Sequence, residues 1–417
     1  MNLTSVNDKK RQFRAMPRRR FLRGALAVAA LPCIIPASAI VGDGRPAPSN
    51  RLTLGCIGVG GRGTSGTKEF LAFNEVQVVA VCDVRTDKRD AAKRLVDAHY
   101  NNQSCAVFND FRELLTRPDI DMIKIATPDH WHALMTIAAM RHGKDVFCEK
   151  PETLTIREGR ELAEAVKLYG RVFSGGSQRV WSDYNWFHRM VRGGAIGEVR
   201  EVWFNAGGPS KPCTLPAQPV PPEVDWDMWL GPAPWAPYNR SRLASFRTWR
   251  DYSGGGMTDW GAHCLGGALF ACGLHETGPT EIIPPNGKEH EFLTYRFANG
   301  IQIYHAPNKV DGRLRFKGTQ GDIAGCDTKN PAPNIFISNY KGTGGLPGDF
   351  LHCVRTRQQT FRNIEVAHRT ATACHLGNIA YWLNRPLKWD PVKEQFIGDD
   401  EANRWLARPK RSPWHLA

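Results

Sequence analysis

The 417-residue chain has no C-x-x-C pair and no closely spaced Cys/His cluster; its eleven cysteines are scattered. Neither a disulfide framework nor a zinc site is expected, and no metal of another kind either, since no third ligand of suitable spacing accompanies an Asp/His pair. Cys56, Cys82 and Cys148 lie inside or beside apolar strand-like runs, where a free thiol acts as a small core hydrophobe. Long apolar runs are missing as well. The run Gly24 to Ile35 is interrupted by Pro32, and at about a dozen residues it falls short of the ~20 that a membrane helix needs. A basic stripe is the third absence. The formal charge is +14, but beyond the N-terminal segment the lysines and arginines are dispersed among acids, which argues against nucleic acid and for solubility.

What is present begins with that N-terminal segment. Pro17-Arg18-Arg19-Arg20-Phe21-Leu22-Arg23 precedes the apolar run, and Ala37-Ser38-Ala39 supplies a small-residue cleavage site. This is the arrangement of a twin-arginine export signal. Residues 1–39 carry eight Lys or Arg and one Asp, so their removal takes half of the net charge with them. Export by this machinery implies folding, and cofactor loading, before the membrane is crossed. The expected location is periplasmic or secreted, with the thiols left reduced.

After a Gly/Pro/Ser/Asn-rich linker over 40–50, Leu54-Gly-Cys-Ile-Gly-Val-Gly-Gly-Arg-Gly63 runs from strand type into a glycine-rich turn and a helix. Gly58, Gly60 and Gly63 fill the G-x-G-x-x-G positions, which give a tight turn, an open approach for pyrophosphate and close helix–strand packing. The apolar run Val76–Cys82 ends at Asp83, 20 residues beyond Gly63, the spacing of the acid that holds ribose hydroxyls. NAD is therefore expected, in preference to NADP, because Asp83 would repel a 2′-phosphate; Arg85, two residues later, leaves NADP open.

Strand and helix then alternate to about residue 175: helix from Asp87 to Tyr100, strand from Ile120 to Ala126, helix from Trp131 to His142, strand from Asp145 to Cys148, helix from Ile156 to Tyr169 and strand from Val172 to Ser174. Helices between short buried strands mean a doubly wound parallel sheet, a Rossmann domain over 51–175. Thr127-Pro128 starts a helix where a strand ends, with His130 and His132 beside it; each histidine either faces a ligand or packs locally. Beyond 175 a helix, Tyr184 to Arg192, and a strand, Val199 to Ala206, lead into Pro209–Pro237, whose nine prolines exclude regular structure. That stretch holds Trp226, Trp229 and Trp235, either as a loop over the site with aromatic faces for a sugar or as a packed connector that buries them. Phe292–Phe297 and Ile301–His305 flank Asn299-Gly300, a hairpin signal, and with Leu314 to Lys317 they imply a mostly antiparallel open sheet in a second α/β domain over 176–390. Residues 391–417 are left as a tail.

Glu149-Lys150-Pro151 follows a strand of the first domain, which points Lys150 into the crevice at the nicotinamide end. Gly254-Gly255-Gly256 precedes Asp259 and His263, four apart and so on one helix face. With the G-x-G-x-x-G turn, the E-K-P tripeptide and the G-G-G-x-x-D-x-x-x-H segment in this order, the chain resembles the glucose-fructose oxidoreductase, inositol dehydrogenase and MocA family, over residues 52 to about 390. The resemblance implies a Lys, Asp and His acting on a sugar or cyclitol hydroxyl, carried over to Lys150, Asp259 and His263. Cofactor contacts carry over to Gly58, Gly60, Gly63, Asp83, Thr127, Glu149, His132 and Gln178, with Arg62 and Arg85 beside them. Arg179, Trp181 and Trp226 are the candidate substrate contacts.

In chemical terms His263 is the expected base, Lys150 the group facing alkoxide charge, and Asp259 the residue that fixes the hydroxyl or the imidazole. Twin-arginine export resembles the secreted branches of the family. The expected activity is hydride transfer between a carbohydrate carbinol and tightly held NAD. Two alternatives stay open: a glycosidase working by transient oxidation, elimination and re-reduction, and a non-catalytic nucleotide-bound sugar sensor. The expected partners are a carbohydrate, the export machinery and further copies of the chain, as a dimer or tetramer.

Overall fold

The computed structural model describes residues 46–326, 332–335 and 337–416. The chain divides into two units, Met1–Arg51 and Leu52–Ala417. Of the first, only residues 46–51 are described, with a 3-10 turn at Pro48–Asn50; the export signal over 1–39 and most of the linker lie outside the described residues. No helix among the described residues is long and apolar enough to cross a membrane.

The second unit opens with six parallel strands: β1 (Leu52–Ile57), β2 (Val76–Cys82), β3 (Ala106–Phe108), β4 (Met122–Ile125), β5 (Asp145–Cys148) and β6 (Phe173–Gly175). Their order across the sheet is β3-β2-β1-β4-β5-β6, the doubly wound arrangement with its switch point between β1 and β4. Every residue of β4 and β5 is buried, as strands covered by helices on both faces must be. Those helices are α1 (Gly61–Leu71), α2 (Thr86–Tyr100), α3 (Asp129–Arg141) and α4 (Ile156–Tyr169). A capping box starts α4, Thr155 accepting from the Glu158 N–H while the Glu158 carboxylate accepts from the Thr155 N–H.

After α5 (Asn185–Arg192), a second, eight-stranded sheet is built in the order β12-β11-β7-β10-β9-β8-β13-β14. Its strands are β7 (Val199–Phe204), β8 (Glu281–Ile283), β9 (Leu293–Arg296), β10 (Gln302–His305), β11 (Leu314–Gly318), β12 (Asp322–Ala324), β13 (Leu387–Asp390) and β14 (Gln395–Phe396). All neighbours are antiparallel except β7 and β10. The Asn299-Gly300 turn joins β9 to β10 with Tyr295 opposite Ile303, and Gly300 has φ 86°. Three helices cover one face: α5, α6 (Gly261–Cys272) and α8 (Ile364–Leu383); α7 (Gly345–Thr356) instead packs under the first sheet. Val202 and Phe204 point into this core, whereas Trp203 lies on the other face against Tyr304 and Phe292.

α8 packs against both α4 and α6, which fixes the first sheet against the second. Residues 391–416, set aside in the sequence as a tail, are packed: Phe396 and Leu406 join the second core, and Trp414 stacks edge-on against Trp131 of α3 at 4.9 Å. The Pro209–Pro237 segment reaches back to the first domain. The Asp225 N–H donates to Val84 O, Thr86 N–H to Glu223 O, and Asn109 Nδ2 to Asp225 Oδ2.

Candidate active site at the domain crevice

A cavity of about 610 Å³ opens at the carboxyl ends of β1, β2, β4 and β5 and continues to the start of α6, the position where doubly wound sheets hold ligands. Its nucleotide side is shaped by main chain. Gly58 has φ 76°, and a Cβ there would meet Ala126 and Thr127 backbone at 2.7 Å. Gly63 passes so close that a Cβ would lie 1.9 Å from Gly58 O, so it sits behind the wall rather than in it. Among the described residues no side chain caps α1 at Gly60, and none lies within 4 Å of a Cβ placed on Gly60. The result is an uncapped helix N-terminus beside open space, the setting a phosphate needs.

Asp83, at the end of β2, accepts from the Val59 N–H (2.8 Å) and the Arg85 N–H (2.9 Å). Burial pushes its carboxyl above the ordinary value in spite of those donors. The Arg85 guanidinium is paired with Asp87. Arg62 bridges Glu149 (2.7 Å) and Glu69 (2.8 and 3.2 Å), and its Nη2 can also donate to Gln178 once that amide is turned to present its oxygen. Three oxygens sealed off behind this wall have no hydrogen-bond partner among the described residues: Thr127 Oγ1, Glu149 Oε2 and Asp129 Oδ2. The open glycine turn, the uncapped start of α1 and the Asp83 carboxylate beside it fit a dinucleotide.

The other side is built from side chains. Lys150 Nζ donates to Asp259 Oδ1 (2.5 Å) and Asp259 O (3.0 Å), leaving one of its three N–H groups for the cavity. Arg247 donates to the same Oδ1 at 3.0 Å. Burial works against the Asp259 carboxylate, but Lys150 and Arg247 outweigh it and hold the pKa below the ordinary value. His263 is buried on the first turn of α6 and lines the cavity. Burial first, then the Lys150 charge, keep its pKa well below 6.5, so the imidazole is neutral at pH 7 and able to accept a proton.

The structure corrects several expectations. Asp259 does not hold the imidazole: both its contacts are cations, and His263 Nδ1 instead meets Ser177 Oγ at 2.8 Å. His132 lines the cavity, yet both ring nitrogens face main-chain carbonyls, Pro151 O at 2.7 Å and Thr127 O at 2.8 Å, so it braces the wall. Trp181 is outside the cavity, packed on Phe361 and Tyr340 because its short helix turns the ring toward α7. Trp226 is outside too, stacked on Trp229 at 4.7 Å with its Nε1 donating to Ala236 O; Trp229 is the one that reaches the wall. The proline-rich stretch thus buries two tryptophans, one of them against the site, and leaves Trp235 exposed. Gly255 and Gly256 admit the backbone of residues 207–210. Arg179 does line the cavity, over the Trp260 ring. Trp260, Arg247, Phe246 and Ser177 went unnoticed in the sequence; only Trp260, between Asp259 and His263, carried any signal there.

Two models of one family match this chain: the NAD-binding Rossmann fold of the GFO_IDH_MocA oxidoreductases over residues 52–177, and their C-terminal alpha/beta domain over 206–416. The chain belongs to the GFO/IDH/MocA oxidoreductase family. Its first domain is the family's NAD-binding domain, and NAD is the cofactor the cavity serves. A glycosyl hydrolase family 109 protein of Saccharopolyspora erythraea is 38% identical over 167 residues, 37% of this chain and 34% of that one; the match thus spans about a third of the relative's length. Among solved structures, scyllo-inositol dehydrogenase from Lactobacillus casei with bound NAD(H) and scyllo-inositol is 16% identical, covering 81% of this chain and 99% of that one at a TM-score of 0.57. An aldose-aldose oxidoreductase from Caulobacter crescentus complexed with glycerol is 18% identical with the same coverage and TM-score. At such identities these two speak for the fold.

Proposed function

We propose that the protein oxidises a carbinol of a sugar, glycoside or cyclitol, with NAD held in the crevice. The observation that carries this reading is a neutral, buried imidazole and an ammonium with one N–H to spare, side by side in a cavity whose other end fits a dinucleotide. The Gly58–Gly63 turn and the start of α1 would hold the pyrophosphate, Asp83 the ribose, and Thr127 and Glu149 the nicotinamide half. Bound there, NAD supplies a hydride acceptor. Lys150 faces the hydroxyl oxygen and stabilises negative charge that grows on it as its proton leaves. His263 takes that proton. Asp259 keeps Lys150 in place, and Arg179 and Trp260 border the space left for the sugar.

A glycosidase with no net redox change is the second reading, favoured by the curated relatives of glycosyl hydrolase family 109. Retention of Lys150, Asp259 and His263 together weighs against a mere sugar sensor, which has no need of a base. The deciding experiment is a mass spectrum of nucleotide released from purified protein, followed by a glycoside panel read for ketone and for freed aglycone. Ketone with NADH supports the dehydrogenase, aglycone without net NADH the glycosidase, and neither, with the nucleotide present, the sensor.

Export by the twin-arginine route belongs to the same proposal and is supported by residues 17–39. Arg18→Lys with Arg19→Lys should strand folded protein in the cytoplasm, and continued periplasmic delivery would overturn it. A homo-oligomer formed through the face of the second sheet that no described helix covers is supported by the Trp203, Tyr304 and Phe292 cluster there. Sedimentation of wild type against Trp203→Glu tests it.

A further inference from the structure

Ser177 stands where the sequence led us to expect Asp259. The loop after β6 is pinned, since a Cβ on Gly176 would lie 2.8 Å from Glu149 Cα, and it delivers Ser177, fully buried, to the start of α6. There Oγ is 2.8 Å from His263 Nδ1 and 3.2 Å from Ala262 O. A serine hydroxyl has one proton and two lone pairs, and a carbonyl oxygen only accepts. If the proton goes to Ala262 O, Oγ accepts from Nδ1–H and all three groups are satisfied. If it goes to Nδ1 instead, two oxygens face each other with no proton between them. The first arrangement is the one the geometry favours.

His263 Nε2 has no hydrogen-bond partner among the described residues and is not among the sealed-off polar atoms, and His263 lines the cavity, so Nε2 meets it. We propose that Ser177 is a positioning residue that locks His263 as the Nδ1–H tautomer and so leaves the Nε2 lone pair free toward the substrate hydroxyl. This rests on the reading of His263 as the base. In that step the carbinol O–H bond breaks and its proton goes to Nε2; the electron pair left on oxygen becomes the new C=O as hydride departs to the oxidised nicotinamide. The imidazolium keeps Nδ1–H···Oγ and Ser177 keeps its bond to Ala262 O, so nothing reorients in either direction. The charged groups around the ring are Lys150, Arg179 and Arg362, which oppose the imidazolium, and Asp259, which favours it.

The test is nitrogen NMR of protein labelled with [15N]histidine, with His263 assigned by its loss in His263→Gln. Wild type should show a protonated Nδ1 and a pyridine-type Nε2. Ser177→Ala should move the ring toward the Nε2–H form and lower turnover by about 10–100-fold, the size of loss seen when the partner that orients a metal-bound histidine is removed. Nucleotide content and KM should hold, and Ser177→Thr should recover part of the rate. A wild-type ring carrying its proton on Nε2 would overturn the assignment, as would Ser177→Ala with tautomer and turnover both unchanged. The wild-type spectrum decides even if Ser177→Ala fails to fold. Because the spectrum needs no substrate, an expected tautomer with a silent glycoside panel would count against the proposed reaction and not against the role of Ser177.

Discussion

The two walls of the cavity are made of different material. On the nucleotide side the shape comes from backbone: a turn in which Gly63 touches Gly58, an uncapped helix start, and a carboxylate tied to two main-chain N–H groups. On the substrate side it comes from side chains of separate segments, Lys150 after β5, Ser177 after β6, Arg247, and Asp259 and His263 around α6. A backbone wall is fixed by local sequence and holds a ligand common to many proteins. A side-chain wall depends on how two domains are joined, and it can be changed one residue at a time. The first should therefore fail by losing the nucleotide, the second by losing turnover with the nucleotide still in place.

The sharpest break is His263→Ala. It removes a proton acceptor without touching the turn or Asp83, so nucleotide content by mass spectrometry should stay at the wild-type level. Turnover of a confirmed substrate should fall by roughly 10²–10⁴-fold. Near-normal turnover with substrate in excess would make His263 a structural residue and dissolve the contrast between the walls.

The opposite break is Gly63→Ala set against Gly60→Ala. The first must push a methyl into Gly58 O at 1.9 Å, so the turn has to open, with loss of nucleotide and a clearly lower Tm. The second meets none of the described residues within 4 Å and should melt like wild type, yet hold less nucleotide, because the methyl enters the space a pyrophosphate would fill. Equal Tm for the two would show that the turn is not close-packed.

Acid should separate the two domains that carry the walls by stability. Burial keeps His130 and His188 down at about 4 and His375 at about 3, against roughly 6.5 when unfolded. Below pH 6.5 the unfolded chain binds protons that the folded one refuses, so stability is present above that value and drains away as pH falls toward 4, on the order of several kcal/mol in all. Glu152, raised to about 7 by burial, acts in the opposite sense, as do Asp83, Asp129, Glu161 and Asp349, which burial also raises, so the net loss is smaller than the histidines alone would give. His188 and His375 sit on α5 and α8, so hydrogen exchange between pH 7 and 5 should rise there before it rises in β1 and β2. Uniform exchange would mean that the domains open as one.

The same division explains what could be read in advance. The parallel sheet, the glycine turn, Asp83 and the Asn299-Gly300 hairpin are local signals, each complete within about thirty residues. Lys150, Asp259 and His263 were legible through spacing and resemblance. Ser177 and Arg247 were not, because their roles exist only once segments some 85 and 12 residues from their partners meet. Helix α8 escaped notice for another reason: most of its residues are buried, so no polar stripe marks a period of 3.6. Trp181 and Trp226 misled because an aromatic in a loop looks the same in sequence whether it faces a sugar or a neighbouring ring.

The smallest effect concerns the second cation on Asp259. Lys150 and Arg247 reach the same oxygen, but the Lys150 side chain is 13% exposed and that of Arg247 is 49% exposed. An exposed ion pair contributes only about 0.2–1 kcal/mol, so Arg247→Met should change kcat less than about fivefold, while Lys150 alone still holds Asp259 in place. Salt should weaken the wild-type enzyme toward the variant, since screening acts on the exposed pair first. A loss in kcat well beyond tenfold, with KM unchanged, would mean that Arg247 acts on the reacting oxygen itself. A rise in KM alone would make it a substrate contact. In either case the side-chain wall would extend one residue further toward solvent than Lys150, Asp259 and His263 define it.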